Sequence, residues 1–167
     1  VDELLFKAKV DAHTPTQQII ETFDAPTWLK HCVTQAQVNV PTEITWKVRI
    51  DLQNPHCRGD EHLMTRALNN LLNNAKRFAQ HHIVVSLSET EEQYMLSVAD
   101  DGIGVPDEQA ENIFQPFYRL DQSRNRQTGG YGLGLAMVAS IAKAHHGSAQ
   151  VVRSEFGGAL FQLTWPK

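Results

Sequence analysis

Residues 94–105 read "YMLSVADDGIGV". Tyr94, Leu96 and Val98 alternate with other neighbours, the period of a strand with one buried face. Asp100 keeps the same parity, so a carboxylate follows an apolar face off the end of the strand. Such a group is costly to bury unless it meets a hydrogen-bond donor, and the exocyclic amine of a purine is one. Gly102 and Gly104 come directly after. They let the backbone approach a flat ligand closely and adopt conformations closed to residues with a Cβ.

Upstream, "IVVSLSE" (83–89) pairs with this strand through an acidic turn and makes a hairpin. Before it, "DEHLMTRALNNLLNNAKRFAQ" (60–80) is a long helix that starts at Gly59-Asp60 and runs to about Ala79. Met64, Leu68, Leu71, Leu72, Ala75 and Ala79 form its apolar stripe. With Asn70 at 0° on the helical wheel, Asn74 falls at about 40° and Arg77 at about −20°, a separate polar line. Asn69, Asn70, Asn73 and Asn74 crowd into six positions, although asparagine costs about 0.5 kcal/mol against alanine in a helix. A carboxamide oxygen is a neutral hard ligand that suits Mg²⁺ already carrying phosphate oxygens; the alternative is a solvated face.

Downstream come a short helix over 107–113 and a stretch rich in Arg and Gln to Gly130. "GGYGLGL" (129–135) then opens a helix through 133–146 that Gly147 stops. Glycines before a helix N-terminus expose N–H groups, and the dipole favours phosphate there. A dinucleotide fingerprint fits poorly, because the segment before these glycines is loop-like and a hairpin closes the chain soon after. That hairpin is "SAQVVRS" and "ALFQLTW" around "EFGG". At the other end, "VDELLFKAKVD" (1–11) has helical spacing and Thr14-Pro15 breaks it. "QQIIETF" (17–23) reads as a strand, Asp24 caps a helix over 26–37, and "ITWKVRIDL" (44–52) alternates as a strand. Helices interleave with strands, but hairpins dominate. The expected fold is a two-layer α/β sandwich: a mixed, mostly antiparallel sheet of about five strands with three helices on one face.

The chain has 167 residues, 41% apolar and 20% charged, enough for one buried core. A net charge of −4 speaks against a nucleic-acid surface. Cys32 and Cys57 lack framework spacing and read as free thiols. No apolar run reaches the length of a membrane span.

Taken in order, these motifs resemble the ATP-binding catalytic domain of bacterial sensor histidine kinases, of the ATPase superfamily that includes gyrase, Hsp90 and MutL (the GHKL or Bergerat type). "NLLNNAKRF" (70–78) matches the N box, "DDGIG" (100–104) the G1 box, "FQPFYRLD" (114–121) the F box and "GGYGLGLAMV" (129–138) the G2 box. The resemblance covers about residues 17–167. It implies that Asn74 holds Mg²⁺ with Asn70 assisting, that Arg77 reaches phosphate, and that Phe78 packs near the base. It further implies that Asp100 accepts the adenine amino proton beside Gly102 and Gly104. Gly130, Gly132, Leu133 and Gly134 would cradle phosphates, and Arg119, Arg124 and Arg126 would belong to an ATP lid over about 114–130. Phe114, Phe117 and Leu120 are either docking surface around that lid or core.

Three positions depart from the family's commoner pattern; Phe78 stands where tyrosine is more usual and keeps the stacking surface without the hydroxyl. Asp101 stands where Asn is usual and adds a negative charge beside the pocket; Gln115 stands where Glu is frequent. Hydrolytic members carry a glutamate at the position of Asn70, and a carboxamide cannot accept a proton. The resemblance thus implies a domain that binds Mg-ATP and saves the γ-phosphoryl for a histidine on a dimerisation domain, and through it for a response regulator. None of the eight histidines lies in the family's phosphoacceptor context, and all read as surface imidazoles. Residues 1–13 then read as the tail of a dimerisation helix and 14–167 as the catalytic domain, here a monomer. The parent is expected to be a homodimeric, membrane-anchored protein with this domain in the cytoplasm, and no nucleic acid is expected as partner. The competing readings are an ATP-driven conformational switch, which steady hydrolysis would reveal, and a non-enzymatic docking module, which would bind no nucleotide.

Overall fold

The alternating run over 83–100 becomes the middle of a sheet. The computed structural model describes residues 4, 5, 8, 18–119 and 132–167. The strands are β1 (Glu21–Asp24), β2 (Thr45–Asp51), β3 (His56–Gly59), β4 (His82–Glu89), β5 (Gln93–Asp100), β6 (Ser148–Arg153) and β7 (Ala159–Pro166). The helices between them are α1 (Ala25–Ala36), α2 (Glu61–Phe78) and α3 (Gly134–Ala144). Five strands pair in the order β2-β4-β5-β7-β6. Only β2 and β4 run parallel; the other pairings are antiparallel. The sheet is therefore mixed and mostly antiparallel, as expected.

Register places Val85 opposite Val98, Val98 opposite Phe161, and Phe161 opposite Val151, one apolar row across four strands. α2 covers this side with Met64, Ala67, Leu68, Leu71, Leu72 and Ala75. α3 adds Ala136, Met137, Val138, Ile141 and Ala142. Leu96, Leu163 and Ile141 are fully buried, each contributing about 1.5–3 kcal/mol. α1 starts as expected: Asp24 accepts the Thr27 N–H at 2.9 Å, and proline occupies the first turn.

Three features differ from the expectation. β1 pairs with β3 in a separate two-stranded sheet; β3, with Cys57 as its one buried apolar residue, is too short to show a period. Two 3-10 turns, Asp107–Gln109 and Asn112–Phe114, replace the short helix over 107–113, a segment too brief to propagate an α-helix. Leu4, Leu5 and Ala8 are helical and exposed, so the described residues contain four helices rather than three. Cys32 and Cys57 are free and buried, and burial pushes the Cys57 thiol up to about 12.

His145 is the further correction. It is buried at 6% exposure rather than at the surface, because both ring nitrogens find backbone partners there. Its Nδ1 donates to the Ile141 carbonyl at 2.9 Å, and its Nε2 accepts the Asp60 N–H at 3.0 Å. Asp60 in turn caps α2 by accepting the Leu63 N–H and also accepts the Ile19 N–H, each at 3.0 Å. Burial lowers the pKa of His145. The unfolded chain takes up this proton below about pH 6.5 while the folded chain resists it. Stability is thus complete above that pH and falls as the pH drops toward the depressed folded value. Denaturant titrations between pH 7.5 and 5 should show this slope, and His145→Gln should flatten it by up to about 1.4 kcal/mol per pH unit, the value for one proton.

Candidate functional site

α2 forms the first wall. Leu71, Leu72 and Ala75 are buried while Asn70 and Asn74 are half-exposed and Arg77 is exposed, so the polar line of the wheel faces away from the sheet. Asn70 lies against the start of α3: a Cβ placed on Gly134 would sit 3.7 Å from its Oδ1. The N-cap of α3, Leu133, makes no side-chain capping bond, so the first-turn N–H groups are not taken up by a side chain and suit an anion. The Leu133 side chain itself is buried. Its contribution is therefore backbone.

The end of β5 forms the second wall. Asp100 is 1% exposed. Its Oδ1 accepts the Gly102 N–H at 2.9 Å and the Ala159 N–H at 3.3 Å. Oδ2 accepts no hydrogen bond among the described residues. Burial raises the Asp100 pKa, the two N–H bonds oppose this, and Asp101 adds to it. Gly102 is required by contact: a Cβ there would lie 2.4 Å from the Phe78 carbonyl oxygen. Gly104 is required by conformation, with φ +74°. The G1 loop thus rests directly on the end of α2, where Phe78 is half-buried with the Arg77 guanidinium 5.8 Å from its ring centre.

Asp101 is held by the backbone at the end of α2. Its carboxylate accepts the Gln80 N–H at 2.8 Å and the His81 N–H at 3.0 Å. Slight burial works against it, but N–H groups of His81, His82 and Gln80 lower its pKa overall. It staples the α2–β4 junction to the G1 loop.

The base of the expected lid closes the third side. The Phe117 N–H donates to the Gly132 carbonyl at 3.0 Å. Both residues are left-handed, Phe117 at φ 65° and Gly132 at φ 75°. Phe117 is 61% exposed, whereas Phe114 packs edge-on to Phe161 at 6.2 Å and belongs with the core. Tyr118 donates to Gln109 Oε1 at 2.6 Å, tying this base to the first 3-10 turn. Arg77 has its pKa lowered by partial burial and then by Arg119. Two cations whose charges act on each other, with no ion-paired carboxylate among the described residues, suit an anion. Arg124, Arg126, Gly130 and Leu120 lie outside the described residues.

Two contributors carried no mark in the sequence. Ser154 donates through Oγ to the Asp100 carbonyl at 2.7 Å, and Gly158 packs flat on Asp100. A serine before a two-glycine turn was the available signal, but its target lies 54 positions away.

A buried carboxylate held by backbone N–H groups on one side, and carboxamides beside a helix start that no side chain caps on the other, are the features expected of a nucleotide-binding ATPase domain. The profile of the family described as histidine kinase-, DNA gyrase B- and HSP90-like ATPase matches residues 59–167. The chain belongs to that family. Sensor protein RstB of Escherichia coli (strain K12) is 41% identical over 166 residues, which cover 99% of this chain and 38% of RstB. The chain thus spans well under half of that relative. Among solved structures, the mycobacterial sensor histidine kinase MprB superposes with a TM-score of 0.75 at 22% identity, covering 89% of this chain and 97% of that one. ShkA, solved full-length in complex with AMPPNP, gives a TM-score of 0.82 at 23% identity over 99% of this chain and 34% of its own. These likenesses establish the fold as that of histidine kinase catalytic domains. No helix among the described residues is long and apolar enough to cross a membrane.

Proposed function

We propose that this chain is the catalytic domain of a two-component sensor kinase. It holds Mg-ATP and donates the γ-phosphoryl to a histidine on a separate dimerisation domain, from which a response regulator is phosphorylated. The observation that carries the reading is Asp100: a buried carboxylate at the end of β5 has one oxygen held by two N–H groups, and the other is left for the amino group of adenine. Gly102, Gly104 and Phe78 shape the base pocket. Arg77, Arg119, Gly132 and the first-turn N–H groups of α3 take the phosphates, joined by Arg124, Arg126 and Gly130 of the lid.

The described residues contain no cluster of three or more His, Cys, Asp or Glu that could hold a metal. The carboxamides of Asn74 and Asn70 fit Mg²⁺, which binds through few protein ligands when it arrives on phosphates. Bound there, the ion would neutralise charge on the phosphates during transfer. Asn70, being unable to accept a proton, leaves water unactivated and the γ-phosphoryl available to imidazole. The exposed helical residues Leu4 and Leu5 support assigning residues 1–13 to a dimerisation helix and 14–167 to the ATP-binding domain. By the same reading the parent protein is a membrane-anchored homodimer.

Calorimetric titration with a non-hydrolysable ATP analogue tests binding, with Mg²⁺ and then with EDTA. Affinity is expected to fall by about tenfold or more without Mg²⁺, the equivalent of about 1.4 kcal/mol, and Asn74→Ala should remove most of that dependence. Labelling with γ-labelled ATP should phosphorylate an added dimerisation domain of the parent and leave this chain unlabelled. Absence of nucleotide binding under all conditions would overturn the reading, and rapid release of phosphate without acceptor would favour a switch ATPase.

A further inference from the structure

We infer that Ser154 is a positioning residue for base recognition, acting through Asp100; this rests on the reading of the cleft as an adenine-nucleotide site. The β5–β7 ladder ends at Ala99 opposite Leu160. Asp100 is the next residue, and its carbonyl finds its donor in the Ser154 hydroxyl at 2.7 Å. Ser154 is 6% exposed. The same oxygen accepts the N–H groups of Phe156 at 3.1 Å and Gly158 at 3.2 Å, while the Ser154 N–H donates to the Gly158 carbonyl at 2.8 Å. One hydroxyl therefore closes the 154–158 turn and ties it to Asp100.

The turn then holds the carboxylate from two further sides. A Cβ on Gly158 would lie 2.4 Å from the Asp100 carbonyl oxygen and 2.5 Å from Oδ1, so the glycine backbone is a wall behind the side chain. The Ala159 N–H occupies Oδ1. Together these contacts fix the orientation of the carboxylate. On its far side the turn reaches β2 through Arg49 and Glu155 at 3.2 Å, and β4 through Phe156 and His82, 6.0 Å apart. Removing the Ser154 hydroxyl takes the partner from the buried Asp100 carbonyl and Gly158 N–H and from the part-buried Phe156 N–H, which costs more than the bond itself contributes. The turn must then shift, and Asp100 with it.

A loss of base recognition differs from a general loss of structure in what the ligand notices. The probe pair is ATP and purine riboside 5′-triphosphate, which keeps the ring and phosphates but lacks the 6-amino group. The wild-type domain is expected to prefer ATP by about tenfold to a hundredfold, the scale of one charge-assisted hydrogen bond. Ser154→Ala should reduce that ratio below about threefold while the analogue's own affinity stays within about twofold. Ser154→Cys, which fills the space with a weak donor, should give an intermediate ratio. A wild-type ratio retained in both variants, or an equal loss for both ligands, overturns the role of Ser154 alone. If Ser154→Ala does not fold, an unchanged ratio in Ser154→Cys is sufficient to overturn it. A wild-type ratio of one removes Asp100 from base recognition, and this inference with it.

Discussion

Asp100→Asn should lose adenine-nucleotide binding by at least about a hundredfold while the fold holds or becomes more stable. The reason lies in the two oxygens of Asp100. Oδ1 sits on the N–H groups of Gly102 and Ala159, and only the carbonyl oxygen of an asparagine can take that place. The NH₂ group is then forced into the position of Oδ2, where it meets the adenine amino group donor to donor. A carboxylate this buried has its pKa raised, so its charge burdens the folded state at neutral pH. The neutral asparagine lifts that burden and keeps both backbone bonds. Titration calorimetry and a thermal melt on the same sample should therefore move in opposite directions, or the melt should stay still. Retained affinity would mean that base recognition does not pass through Asp100. Lost affinity with an equally lost fold would mean that the carboxylate serves structure.

Gly147→Ala is the largest expected change in stability. A Cβ there would lie 1.7 Å from the Thr164 carbonyl oxygen, 2.7 Å from its carbon and 2.9 Å from the Trp165 Cα. All three atoms are backbone of β7, which is hydrogen-bonded to β5 and β6 on its two sides. Trp165 is 1% exposed and its indole donates to the Arg58 carbonyl at 2.9 Å. Neither partner can withdraw without breaking the ladder. The expected loss is at least about 3 kcal/mol, or a melting midpoint about 6–12 °C lower for a domain of this size. Denaturant unfolding measures it, and a loss below about 1 kcal/mol would show that α3 shifts away from β7 at little cost.

Gly147 also shows how a correct reading can rest on the wrong cause. The helix does stop there, but the left-handed residue is His146, at φ 61°. Gly147 is needed because β7 passes where a Cβ would be. Asp101 has the same character. The sequence shows only a negative charge beside the expected pocket, whereas the folded chain also uses it to hold N–H groups at residues 80 and 81. Phe114 and Phe117 sit three residues apart and read alike, yet one packs on Phe161 and the other faces solvent.

What the sequence determined by itself is periodic or local. Alternation set β4 and β5, the stripe of α2 set its buried face, and parity alone put Asp100 on the core side at the end of a strand. Asp24 and Asp60 announced two helix starts, because each bonds an N–H only three residues on. Tertiary structure decided whatever depends on distant partners. His145 is buried because Asp60, 85 positions earlier, supplies its donor. Asp100 is held at its carbonyl by Ser154 and at Oδ1 by Ala159, 54 and 59 positions later. A repeating pattern is written in neighbouring residues, since each turn of helix or pleat of strand repeats it; a single hydrogen bond between remote segments is made once, and only the folded chain brings its two ends together.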